Sequence, residues 1–203
     1  MKVNLSILIS VTTLLLLNCS NKEDSEWFSG DFYSNDKSKL AAEIIDENIG
    51  FKFFPPLNWS IQSAELSKKI ESKNKFKDAD QKSFSYAPIY LFFNKETGSL
   101  LSIGIVDYTD TSATLESKMN IYKNLLTNKY KDDKLSIGVF TKSGIKFTQL
   151  KSEKENFINY KIIFNNNANK IIQLDCTIRK DNLKSERESL KATIGSIQLL
   201  KPI

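Results

Sequence analysis

A chain of 203 residues with formal charge +5, 40% hydrophobic and 26% charged residues has the balance of one globular domain plus a short extension. It contains no histidine and two cysteines, which excludes a Ser-His-Asp triad, a Cys-His pair and any histidine-ligated zinc. Carboxylates, lysines, tyrosines or a thiol are left for any chemistry, and the lysines alternate with acids, as in "KSEKE" and "KDDK", without the aromatic-interleaved basic run of a nucleic-acid surface.

Residues 5–17, "LSILISVTTLLLL", carry no charge and follow Lys2. Thirteen residues are too few for ~30 Å of hydrocarbon, which takes ~20 helical residues. They match the apolar centre of a signal peptide. The run stops at Leu16-Leu17-Asn18-Cys19, which resembles the lipobox of bacterial lipoproteins, with Asn18 where Gly, Ala or Ser is usual. The resemblance implies that residues 1–18 are removed and that Cys19 is lipidated through its sulfur. Loss of Lys2 takes the charge from +5 to +4. The lipid would hold the mature chain on a bacterial envelope membrane, expected to be the outer membrane, at its periplasmic or surface face. With two or three acyl chains, each buried CH₂ adding ~0.8 kcal/mol, attachment is effectively permanent.

Residues 19–40 are polar and aperiodic and read as a flexible tether. Trp27, Phe28, Phe32 and Tyr33 stand out in it. The simpler reading folds some of them back onto the domain; the other places them on the lipid interface or a partner. The acids Glu23, Asp24 and Glu26 resemble the acidic stretch that marks some lipoproteins for the cell surface.

The globular domain is expected over residues 41–203. "AEIID" and "IGFKFF" form a hairpin about Glu47-Asn48, stopped by Pro55-Pro56. "WSIQ" continues extended, "SAELSKKIESKN" reads as a short helix started by Ser63 with Leu66 and Ile70 on one face, and "KFKDADQKS" as a charged loop. "PIYLFFN" and "SLLSIGIVD" are strands joined by residues 95–98, with Leu101, Ile103 and Ile105 in phase. In "SATLESKMNIYKNLLTNKY", Leu115, Met119, Tyr122 and Leu126 make one helical stripe that reads as core. "LSIGVF", "IKFTQL", "FINYKIIF" and "IIQLDCTIR" are strands whose short polar connections require antiparallel neighbours. A second amphipathic helix near 182–199 carries Leu190, Ile194 and Ile197. Cys176 is in phase with Ile172, Leu174 and Ile178, as a buried small hydrophobe rather than a nucleophile.

"GFKFFPPLNW", residues 50–59, resembles the segment that opens PsbP-like domains, with Gly50, Phe51, Phe53, Pro56 and Trp59 in register. Pro55 stands where an aromatic is common and Asn58 where Gly is common; Asn tolerates the left-handed backbone that Gly would allow. DcrB-like bacterial lipoproteins are similar in this respect. The resemblance implies an α+β fold over residues 41–201: an α/β/α sandwich with a mostly antiparallel sheet flanked by helices. It implies an accessory or binding protein and carries no active site, since fold does not settle function.

Trp59 reads as a core anchor. Asp107, Tyr108 and Asp110 precede the long helix. Two carboxylates there could hold Ca²⁺ with carbonyls, but the spacing is not that of an EF-hand, and one of them capping the helix is the preferred reading. Lys68, Lys69, Lys73, Lys75, Lys77 and Lys82 against Glu71, Asp78 and Asp80 leave a local excess of +3, either meeting anionic headgroups or forming a solvated loop. Catalytic, cofactor and metal sites are not expected. The expected function is a non-catalytic, membrane-anchored accessory or binding module with a protein partner and no nucleic acid. The alternatives are a carboxylate-dependent envelope hydrolase and a carrier of a small apolar ligand in a pocket between sheet and helix.

Overall fold

The computed structural model describes residues 32–73, 75–78 and 82–201. Its first hairpin joins β1 (Ile44–Asp46) to β2 (Phe51–Phe53). The Asp46 carboxylate closes the turn by accepting from the Asn48 and Ile49 amides at 2.8 and 3.2 Å, and Gly50 supplies the left-handed step at φ +71°. After the two prolines Asn58 adopts φ +65°, the backbone its side chain was expected to tolerate. β3 (Ser60–Ile61), α1 (Ala64–Lys73), β4 (Lys75–Lys77), β5 (Ser83–Phe93) and β6 (Leu100–Tyr108) follow.

Then come α2 (Leu115–Lys129), β7 (Lys134–Lys142), β8 (Ile145–Glu153), β9 (Phe157–Asn165), β10 (Ile171–Arg179), α3 (Leu183–Ser196) and β11 (Gln198–Leu199). The β7–β8 turn puts Ser143 and Gly144 at φ +51° and +79°, a two-residue turn whose twist suits a hairpin.

The strands form an eight-stranded antiparallel sheet ordered β3-β5-β6-β10-β9-β8-β7, with β4 also on β5, and a small sheet ordered β1-β2-β11. Three elements differ from the sequence reading, the first being β5, which starts at Ser83, five residues before the expected Pro88. The charged segment 75–83 is partly strand, because Lys75–Lys77 pairs with Ser83–Ser85 of β5. The last residues of the second helix are strand β11, pairing Gln198 and Leu199 with Lys52 and Phe51. The expected tether also ends early: Phe32 is 3% exposed and packs in the core.

Each face of the large sheet carries its own core. On one face α3 and the small sheet bury Phe51, Phe53, Phe147, Phe164, Leu190 and Ile194. Ile172, Leu174, Cys176 and Ile178 line that face, all fully buried, and burial pushes the Cys176 thiol well up. On the other face α2 lays Tyr122 and Leu126 over Phe84, Tyr86, Val106 and Ile171. The α+β arrangement of a sheet between helices is thus observed.

Trp59 belongs to the first core and stands beside Glu186 of α3, a buried carboxyl that accepts from Asn94 Nδ2 at 3.0 Å. Burial raises the Glu186 pKa, although donors on Thr97, Trp59 and Asn94 favour its charge.

Trp59→Ala should cost ~3–5 kcal/mol in denaturant unfolding, a large share of a small domain's stability; an unchanged midpoint would contradict the packing. The raised Glu186 value means that the folded state keeps a proton after the unfolded chain has lost it. Wild-type stability therefore falls as pH climbs from the ordinary 4.5 through the raised value. Glu186→Gln should gain on wild type over that interval, measured as the difference in melting temperature against pH.

Candidate functional site

The candidate site begins with the chain before β1. Phe32 stacks on Phe140 of β7 at 4.6 Å between ring centroids, and Tyr33 follows at 6.1 Å. The Ser34 amide donates to the Lys191 carbonyl of α3 at 3.0 Å. This N-terminal arm fits because two facing residues lack a side chain. A Cβ at Gly138 would lie 2.6 Å from Phe32 Cζ, and one at Gly195 would lie 1.8 Å from the Ser34 carbonyl oxygen. A 3-10 turn at Lys37–Lys39 follows, capped by Asp36, whose carboxyl is held low by hydrogen bonds from Ser38. Leu40 then bridges Pro56.

Between the arm, β2, the end of α3 and the β7–β8 turn lies a cleft of about 580 Å³. Leu40, Ala41, Phe54 and Ala192 give it apolar walls, and Lys37, Lys52 and Lys142 give it charge. Lys52 is paired with Glu43 at 3.0 Å. Lys142 Nζ donates to the Ile197 carbonyl at 3.0 Å, and partial burial lowers its pKa. Three lysines against Glu43 leave the lining an excess of +2. None of these residues stood out in the sequence, because they come from four separate segments.

The sequence-derived candidates fall elsewhere. Cys19, Trp27, Phe28 and Asp80 lie outside the described residues. Phe51 and Phe53 are fully buried, Pro56 is buried and Trp59 is 9% exposed. The preferred cap reading is corrected: Thr114, not an aspartate, caps α2 by accepting from the Ser117 amide at 3.3 Å. Asp110 instead pairs with Lys82 and accepts from Ser112, which holds its carboxyl well below the usual range. Tyr108 donates to Asp78 at 2.6 Å. These contacts fasten the β4–β5 hairpin to the loop after β6. Lys68, Lys69, Lys75 and Lys77 are exposed along α1 and β4.

A second polar cluster lies under α2. Lys161 and Asp175 form an ion pair, Tyr122 donates to Gln173 Oε1 at 2.7 Å, and Tyr86 donates to Ser102 at 2.8 Å. Burial opposes the Lys161 charge, but Asp175 and the Tyr130 hydroxyl outweigh it and raise the pKa. Tyr86, Tyr122, Gln173 and Lys161 are all at most 5% exposed, so these groups serve one another rather than a solute.

The sequence matches neither a family model nor a curated protein. In structure, the chain is similar to cyanobacterial PsbP (CyanoP) from Synechocystis sp. PCC 6803 at TM-score 0.52 and 12% identity, over 79% of this chain and 93% of that one. The fold is PsbP-like. A crystal structure from Bacteroides thetaiotaomicron VPI-5482 is similar over 80% of this chain and 49% of that one, at TM-score 0.44 and 15% identity. On this PsbP-like body the cleft is open to solvent and the α2 network is not.

Gly195→Ala should dislodge the arm, since the new methyl has backbone against it. Trypsin should then cut at Lys37 and Lys39 at least about tenfold faster, the factor that a loss of about 1.4 kcal/mol of docking energy gives. Cleavage at the wild-type rate would show that the arm is not held there.

Proposed function

We propose that the chain is a lipid-anchored protein of a bacterial envelope that works as a non-catalytic accessory and binding module, with its ligand in the cleft behind the arm. The observation that carries this reading is the cleft itself. Its volume of about 580 Å³ lies within the ~300–1,000 Å³ usual for small-molecule sites, and it combines apolar walls with a few charged groups. Its position agrees with the anchor reading. One wall is the arm, whose first described residue, Phe32, lies thirteen positions after Cys19. At ~3.5 Å per extended residue, the cleft would work within ~45 Å of the membrane.

Cys19→Ala should move the protein from the membrane fraction to a soluble or unprocessed form. Partition into detergent like wild type would contradict the anchor. Native mass spectrometry of the full chain, released from its own envelope, should show a ligand mass that Ala41→Trp loses. The same bound mass in both proteins, or none in wild type, would contradict the binding reading.

A further inference from the structure

We infer that the cleft takes an amphipathic anion, a carboxylate or phosphate head on a short apolar body. This rests on the binding reading above and names its ligand class. The lining supplies both halves of such a molecule: Leu40, Ala41, Phe54 and Ala192 for the apolar body, and the ammonium groups of Lys37, Lys52 and Lys142 for the head.

The three lysines are not equivalent. Lys52 is already balanced by Glu43 at 3.0 Å. Lys142 is partly buried and its one protein acceptor among the described residues is the Ile197 carbonyl. An ammonium has three donors, so two remain for a ligand. A neutral carbonyl leaves its charge uncompensated, and burial already disfavours that charge; an anion supplies what is missing. The excess of positive charge disfavours a cationic ligand by the same reasoning. A neutral alcohol would fill the apolar wall but leave Lys142 as it is.

The test is calorimetric titration of the full chain in nanodiscs of neutral phosphatidylcholine, with empty discs as the blank. The probes are octanoate, octyl phosphate, octanol and octylamine. Octanoate and octyl phosphate should bind about tenfold or more tightly than octanol, and octylamine should not bind. Lys142→Met should weaken octanoate about tenfold, Lys142→Arg should restore much of that affinity, and both variants should keep the wild-type circular dichroism spectrum. Adding phosphatidylglycerol to the discs separates the sources. Competition with octanoate assigns the head to an anionic lipid, and unaltered octanoate affinity assigns it to a free acid; either keeps the proposal. Octanol binding as tightly as octanoate, octylamine binding, full affinity in Lys142→Met, or no heat from any probe at millimolar concentration would overturn it. Such a result removes the anionic ligand alone, since the binding reading fails on a different outcome, the absence of a ligand mass in the native protein.

Discussion

A continuous run of stacked and edge-on aromatic rings ties the body together. It passes from Phe32 of the arm to Phe140 of β7, Phe147 of β8 and Phe164 of β9, with centroids 4.6, 4.9 and 4.9 Å apart. It then crosses to the small sheet through Phe51 at 5.5 Å and Phe53, and returns to β5 at Phe92. Each such pair adds about 0.5–1.5 kcal/mol beyond the area it buries. The hairpin at the start of the domain cannot hold itself, since an isolated two-stranded ribbon is marginal in water. It is held because Phe51 and Phe53 enter this run and because β11 closes its other edge. The arm depends on the same rings, and the cleft depends on the arm.

The two faces of the large sheet are built on different physics. The α3 face is mainly apolar, the buried Glu186–Asn94 contact aside, and its packing tolerates a thiol at Cys176 as one more small side chain. The α2 face buries the Lys161–Asp175 pair together with Tyr86, Tyr122 and Gln173. Such a pair is weak evidence for stability, but losing one member strands the other in low dielectric. A slip of one residue in β9 or β10 would carry Lys161 or Asp175 to the apolar face, so the network also opposes register errors.

Much of the fold was legible in the sequence because its longer elements are strongly periodic. The alternation of Ile172, Leu174, Cys176 and Ile178 placed β10, and Leu115, Met119, Tyr122 and Leu126 placed α2. The missed elements are short or depend on distant residues. β11 has two residues and exists because β2, more than a hundred positions earlier, offers an edge. β4 is Lys-Phe-Lys, a charged edge strand that local composition presents as loop. Gln173 and Asp175 are polar residues alternating with the apolar set of β10, and only the placement of α2 shows that they are covered. The arm was hidden for a similar reason: whether Phe32 packs or dangles is decided by Gly138 and Gly195, which carry no signal of their own. The cleft inherits that difficulty, since its walls are assembled by the arm.

The arm is part of the folded body, held by the aromatic run and by the Ser34–Lys191 backbone bond. Hydrogen exchange at the Ser34 amide of the full chain tests this most directly, because that amide donates to the Lys191 carbonyl at 3.0 Å. Ser34 should be strongly protected, and less so in Phe32→Ala, while the amides of β9 and β10 stay protected. Exchange of the Ser34 amide at the rate of an unstructured peptide in wild type would contradict it.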